Sequence, residues 1–145
     1  MDFDSIGAFK QYAINKIQQC GTPTLEDIKT KAIEIMNDGW FSKYNPSEYN
    51  RIGDMVNAFK IVKSPTGDGI ELRIDLEDRE HMPSNWVGGN YPLSEIILDY
   101  MPKSHTYVNE KSRPGVNIKE KTESYTVAEG LQHLLDELKK YFDIV

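Results

Sequence analysis

The stretch IELRIDLE, residues 70–77, is the feature that most limits what this chain can fold into. Successive side chains of a strand point to opposite faces, so a strict alternation of apolar and charged residues predicts a strand with one buried and one solvated face. The alternating residues are apolar Ile70, Leu72, Ile74 and Leu76 and charged Glu71, Arg73, Asp75 and Glu77. The predicted partner strand is 57–63, because the intervening SPTGDG contains a proline, an aspartate and two glycines suited to a chain reversal. We therefore expect a central β-hairpin.

Two helices are predicted before the hairpin. The first has an apolar stripe at steps of three and four residues, and Gly21 offers a stop that places Cys20 at the helix end. The second begins with Thr24 as its cap and ends near residues 37–39. The stripes consist of Ile6, Phe9, Ala13 and Ile17 in the first helix and of Leu25, Ile28, Ala32, Ile35 and Met36 in the second.

Two further helices are predicted after the hairpin. Residues 92–101, PLSEIILDYM, are apolar enough for a short helix, and Thr126 with Glu129 has the spacing of a capping box that starts a terminal helix. The predicted buried face of the terminal helix consists of Val127, Leu131, Leu134, Leu135, Leu138 and Phe142. Between the two helices, residues 103–124 have almost no apolar face, which predicts an exposed arm.

Length and composition predict a single domain over residues 1–145. The hydrophobic fraction of 39% and the charged fraction of 28% are typical of a globular chain, and no apolar run approaches the length of a membrane span. The amino terminus does not have the pattern of a secretory signal, and the lone Cys20 predicts a reducing compartment without disulfides. A formal net charge of −6 disfavours non-specific binding to nucleic acid.

No catalytic residue, metal site or cofactor site is predicted from the sequence. Asp75, Glu77, Asp78, Glu80 and His81 contain suitable metal ligands, but the alternation in the strand explains the first two as a solvated face. The other histidines, His105 and His133, lie in unrelated contexts, and no histidine has a serine or cysteine partner in a nucleophile motif. We therefore expect a protein that is not an enzyme.

The stretch that follows the second predicted helix is crowded with aromatic residues. Its pattern, W-[FY]-x-x-Y-x-P-x-x-Y-x-R, is followed after the hairpin by W-x-G-G-N. The matching residues are Trp40, Phe41, Tyr44, Pro46, Tyr49 and Arg51, then Trp86, Gly88, Gly89 and Asn90. Packing of the aromatics over the core is the simpler physical reading of this cluster. With the order of the predicted elements, the two segments resemble small head-to-tail joining and tail-completion proteins of tailed phages and prophages of Gram-positive bacteria.

This resemblance implies an α+β fold in which a long helix and a carboxy-terminal helix pack on a small antiparallel sheet. It also implies a structural protein at the phage neck or tail end that forms a homomeric ring around the DNA path. The implied partners are further copies of the chain and neighbouring neck, connector or tail-tube proteins, with no sequence-specific nucleic acid binding and no membrane. The resemblance implies that the protein is located in the virion and, during assembly, in the host cytoplasm. The candidate interface residues are Trp40, Tyr44, Tyr49, Arg51, Trp86, Tyr107, Val108, Val116 and Ile118.

Two other functions remain open on the sequence. The first is a small acidic phage-encoded inhibitory or regulatory protein that binds a host protein. The second is a metal-dependent hydrolase that uses the acidic group of residues 75–81. The three functions differ in assembly state and in metal binding, so both properties discriminate among them.

Overall fold

The computed structural model describes residues 5–43, 55–67, 69–77, 92–106 and 112–142. The fold is mixed α+β: a long amino-terminal helix and a carboxy-terminal helix accompany a small antiparallel hairpin, as predicted. The amino-terminal part consists of helix α1 (Ile6–Gly39), a 3-10 turn (Phe41–Lys43) and the hairpin strands β1 (Phe59–Pro65) and β2 (Ile70–Leu76). The middle part consists of helix α2 (Leu93–Glu95) with a π-helical continuation (Ile96–Tyr100) and of the short strands β3 (His105–Thr106) and β4 (Ser112–Arg113). The carboxy-terminal helical run consists of helix α3 (Ile118–Tyr125), a π-helical turn (Thr126–Gly130) and helix α4 (Leu131–Leu138).

Helix α1 is one continuous helix of 34 residues, about 50 Å long at the usual rise per residue. It begins at the cap residue Ser5, whose Oγ accepts a hydrogen bond from the Ala8 amide. The prediction of two helices is wrong: Gly21 does not stop the helix, Thr24 does not cap a second one, and Cys20 lies inside the helix. The predicted end near residues 37–39 is confirmed.

The helix continues through Pro23, although proline has no amide hydrogen to donate. Threonine hydroxyls on both sides of the proline donate to carbonyls of the preceding turn: Thr22 Oγ1 to Gln18 at 2.8 Å and Thr24 Oγ1 to Cys20 at 3.3 Å. The carbonyl that lacks its helical donor is that of Gln19, four residues before the proline, so these hydroxyls add hydrogen bonds to the carbonyls on either side of it and do not replace the lost one. Cys20, Gly21 and Thr24 are also buried, so tertiary packing on both sides of the proline favours continuation.

The hairpin lies against α1 with the predicted apolar face of β2 towards the helix, although β1 runs over Phe59–Pro65 and not over the predicted 57–63. Strands β1 and β2 pair antiparallel from Phe59 opposite Leu76 to Pro65 opposite Ile70. The predicted apolar face of β2 turns towards the helix, where Leu72 Cδ1 packs directly on Gly21 of α1. That contact leaves no room for a Cβ atom on Gly21, so glycine is the residue that lets strand and helix approach closely. Ile74 and Leu76 pack against the core, while Glu71 on the other face is exposed.

The core lies at the carboxy-terminal end of α1. There the last turns of the helix meet the start of β1, the helical segment of residues 93–100 and the residues that precede α3. The fully buried side chains with the largest volumes are Met36, Leu93, Ile97, Met101 and Ile118. The short helix predicted at 92–101 is therefore confirmed, and it contributes several of these side chains.

The carboxy-terminal helix begins earlier than predicted. Asn117 is the cap of α3, because its Oδ1 accepts from the Glu120 amide at 3.0 Å. Thr126 is not a cap: it lies inside the helical run, and its Oγ1 donates to the Thr122 carbonyl. The residues that precede and open α3, Val116 and Ile118, are buried, so the predicted exposed arm of 103–124 is wrong over this part.

Candidate interaction surfaces

The predicted interface residues that the structure describes belong to the core of the chain. Trp40 is 2% exposed and meets Tyr100 edge to face, with ring centroids 5.7 Å apart. Val116 and Ile118 are buried beside it in the same cluster. These three residues therefore cannot meet a partner without unfolding the core, which corrects the prediction. The other predicted interface residues, Tyr44, Tyr49, Arg51, Trp86, Tyr107 and Val108, lie outside the described residues.

The acidic group considered as a metal site is only partly described. Asp75 is held by Arg73, whose Nε donates to both carboxylate oxygens at 2.9 and 3.1 Å. The same guanidinium donates to Ser64 and Glu71, so Asp75 belongs to a charged network on the outer face of the hairpin. Within the described ranges, no three His, Cys, Asp or Glu residues come together as ligands. Asp78, Glu80 and His81 lie outside those ranges.

A polar cluster joins α1 to the carboxy-terminal helix. The Tyr125 hydroxyl donates to Asp27 Oδ2 at 2.5 Å, and His133 Nδ1 lies 3.7 Å from the same oxygen. The hydrogen bond to Asp27, followed by burial and by the charge of that carboxylate, raises the pKa of Tyr125 to about 12. The phenol of Tyr125 therefore stays neutral, and about half of the surface of the His133 and Asp27 side chains is exposed to solvent. The role of the cluster is to hold α1 and the carboxy-terminal helix together.

The single cysteine does not have the environment of a nucleophile. Cys20 is buried on α1, and burial followed by the nearby charge of Glu137 raises the pKa of its thiol. A raised pKa lowers the thiolate fraction at neutral pH, and the thiolate is the reactive form. Cys20 therefore acts as a small apolar residue between α1 and its neighbours.

The first large apolar surface lies where the amino-terminal part of α1 passes the tip of the hairpin. It is an open groove of about 620 Å³, which we call the N-groove. Residues 5–11 are all exposed, so the helix projects past the body of the domain here. Ile6 is 86% and Phe9 47% exposed. The N-groove is lined by Ile6, Phe9, Lys10, Ala13, Ile14, Ile17, Gly69 and Ile70.

The second apolar surface runs along the outside of the carboxy-terminal helix. Val127 is 74% exposed, and Leu131 and Leu135 follow at steps of four residues, also exposed. We call these three residues the C-stripe. Leu134, Leu138 and Phe142 are half-buried on the inner side, where Phe142 meets Tyr12 of α1 edge to face at 5.9 Å. The prediction that all six residues form one buried face is therefore wrong for the C-stripe.

The sequence predicts the apolar stripes of both helices, and only the stripe of the terminal helix is predicted as a buried face. Ile6, Phe9 and Ile17 have the period of a buried helix face, and so do Leu131 and Leu135. The period shows that a helix has an apolar side. Whether other elements cover that side depends on the whole fold. Large apolar residues that remain exposed and adjoin one another are candidates for contact sites.

Among the described residues, no helix is both long enough and apolar enough to cross a membrane. Neither a protein-family model, nor a curated protein, nor a solved structure is significantly similar to this chain.

Proposed function

We propose that this protein is a structural subunit of the neck or tail end of a tailed phage, where copies of the chain form a ring around the DNA path. The observation that carries the proposal is the exposure of two apolar helix surfaces, the N-groove and the C-stripe, on one small chain. A subunit of a ring needs two contact surfaces, one for each neighbour. An inhibitor of a host protein needs only one.

The motifs and the fold class support the same proposal. The segments around Trp40 and Trp86 resemble those of head-to-tail joining proteins, and a long helix beside a small antiparallel sheet is the architecture that this resemblance implies. Trp40 and Phe41 are the parts of the motif that the structure describes, and the place of Trp40 in the core makes it a fold-defining residue of such a subunit. In this proposal the N-groove and the C-stripe are the surfaces that bind other proteins.

The charge of the chain suits a position around DNA. A formal net charge of −6 repels phosphates, and a conduit that does not hold the phosphates lets the genome pass. The polar cluster of Asp27, Tyr125 and His133 offers no activated nucleophile, which agrees with a structural role. We propose no catalytic activity, no metal and no cofactor.

Purified tailed particles from the organism that encodes the chain provide the test. We expect mass spectrometry to find the chain in particles at a fixed, low copy number, and we expect a null mutant to accumulate filled heads and separate tails in electron micrographs. Infectious tailed particles from the null mutant at normal titre would overturn the proposal. Recovery of the chain in a discrete complex with a host enzyme, and not in particles, would favour the inhibitory protein instead.

A further inference from the structure

We propose that helix α4 is a latch, which opens away from α1 as one unit while the core stays folded. The hinge lies at the end of the π-helical turn, at Gly130, and opening uncovers the buried thiol of Cys20. Proteins open locally in cooperative units, and units with few buried apolar contacts open most readily. The movement is a property of the isolated chain and does not depend on the partners of the proposed function.

Helix α4 and the turn after it are held on α1 by half-buried side chains. Every residue from 131 to 142 is exposed or half-buried, and the half-buried ones are Leu134, Leu138 and Phe142. Helix α3 differs, because its first residue, Ile118, is buried in the core cluster. Since burial of apolar surface is the main source of stability, α4 opens at a lower free-energy cost than α3.

The contacts beyond the end of α4 are aromatic and partly exposed. The ring of Phe142 meets Tyr12 edge to face with 5.9 Å between centroids, and Lys16 Nζ lies 4.3 Å from the centroid of the Tyr141 ring. The Gln19 amide donates to the Tyr141 hydroxyl at 3.5 Å, which is long for a hydrogen bond. Each of these contacts is weak by itself, and all of them can break together without moving a side chain of the core.

The helical run is fixed to α1 just before α4 begins. Gly130 is buried, and a Cβ there would lie 3.2 Å from the Ile28 side chain, so the two helices approach closely at this residue. One turn earlier, the Tyr125 hydroxyl donates to Asp27. On α4 itself, His133 lies 3.7 Å from the same carboxylate and is largely exposed, so that contact can break when α4 moves. A glycine and a π-helical turn both weaken the helical hydrogen-bond ladder, which places the hinge here.

Cys20 lies beside α4 and reports its opening. Burial raises the pKa of its thiol, and the charged groups that act on it are Glu137 and Lys140, at the end of α4, and Lys16 on α1. The latch therefore has a closed state that shields the thiol and an open state that exposes it. Because the chain contains one cysteine, thiol labelling of the whole protein reports on this residue alone.

Labelling of the full chain with iodoacetamide in native buffer at fixed pH tests the latch. When reclosing is faster than labelling, the labelling rate is proportional to the population of the open state. Phe142→Ala should raise the rate about tenfold, because it removes the contact with Tyr12 and half-buried apolar surface. Leu98→Ala is the matched control: Leu98 is 42% exposed on the π-helical continuation of α2, and the rate should stay within about twofold of the parent.

A substitution in the core gives the decisive result. Met36 is fully buried, so Met36→Ala should raise the population of the globally unfolded chain at least about twentyfold. A latch that opens with the core intact leaves the labelling rate of this variant within about twofold of the parent. A labelling rate that rises together with the unfolded population would show that Cys20 is reached only by global unfolding, and would overturn the latch.

Low concentrations of urea check the same point on the parent chain, without any substitution. The effect of urea on an opening reaction increases with the surface that the reaction exposes. Opening of α4 exposes much less surface than unfolding of the whole chain, so the labelling rate should respond to urea with a much smaller slope than global unfolding. Equal slopes would contradict the latch.

Hydrogen exchange followed by mass spectrometry identifies the element that moves. The amides of residues 131–142 should exchange together and faster than those of α3, and Phe142→Ala should accelerate them by the same factor as the thiol. Exchange of α3 at the same rate as residues 131–142 would remove the hinge from Gly130 and overturn the proposal. Fast exchange of β1 and β2 with residues 131–142 protected would also overturn it, because the hairpin packs on Gly21, next to Cys20.

Discussion

The two halves of α1 have similar apolar periodicity but differ in the burial of their apolar side chains. In the second half, Ala32 and Met36 are buried in the core, whereas Ile6 and Phe9 in the first half remain exposed. The second half is covered by the start of β1, by residues 93–101 and by the residues that open α3, whereas the first half meets the hairpin tip and, through Tyr12, Phe142. The comparison teaches that apolar periodicity gives a helix an apolar side but does not determine whether other elements cover it. In the first half, part of that side remains exposed.

The largest effect should come from truncation in the covered half. Met36 is fully buried, so Met36→Ala should lower the free energy of unfolding by about 2–5 kcal/mol. Ile6→Ala, its counterpart in the uncovered half, should change the free energy of unfolding by less than about 0.5 kcal/mol. Urea denaturation of both variants measures the difference. Equal losses would show that Ile6 is covered within the chain as Met36 is.

A smaller effect is expected from the hydrogen bond that fastens α3 to the covered half of α1. Folding holds the Tyr125 phenol neutral, with a pKa of about 12 against an ordinary value of 10.0. The folded state therefore gains stability from this group below pH 10, and the gain disappears as the pH rises towards 12. We expect Tyr125→Phe to melt at a lower temperature than the parent at neutral pH.

The dependence on pH gives this second prediction its control. The difference in melting temperature between Tyr125→Phe and the parent should be constant from neutral pH to about 10 and should shrink above it. Other titrating groups are common to both proteins and cancel in the difference. A difference that does not change up to pH 12 would mean that Asp27 does not hold the phenol in the folded state.

The smallest effect compares one substitution at two glycines of α1. A Cβ at Gly7 meets only Ser5 Oγ, at 3.7 Å, so Gly7→Ala should stabilise the protein by about 0.5 kcal/mol through helix propensity. A Cβ at Gly21 overlaps Leu72 Cδ1, so the same propensity gain is opposed by displacement of Leu72. Thermal melting should separate the two variants. Equal stabilisation by both would show that the hairpin does not pack closely on α1.

Much of the fold could be predicted from the sequence because its signals are local. The alternation over residues 70–77 and the turn residues before it predicted the hairpin and its inner face, and both are confirmed. The continuity of α1 could not be predicted, because Gly21 and Pro23 are local signals for a helix end. Tertiary packing outweighs those signals in the structure, because Cys20, Gly21 and Thr24 are buried and Leu72 lies against Gly21.

The start of α3 was missed although a signal for it exists. Asn117 and Glu120 have the spacing of a cap and its reciprocal partner, and Asn117 Nδ2 lies 3.3 Å from Glu120 Oε2. The pair at Thr126 and Glu129 has the same spacing and is followed by a clearer apolar period, so the sequence favours the later start. The exposure of the C-stripe could not be found in this way, since it depends on which elements lie opposite the helix.

The π-helical turn at Thr126–Gly130 lies between α3 and the part of the helix that carries Leu131 and Leu135. Its hydrogen bonds join residues five apart, whereas those of an α-helix join residues four apart. Both kinds of turn go about once around the axis, so the wide turn accommodates one extra residue locally. Deletion of a single residue there would close it to an ordinary α-helical turn and leave Leu131 and Leu135 facing nearly the same side. The helix can therefore gain or lose one residue at this turn without moving the C-stripe to another side.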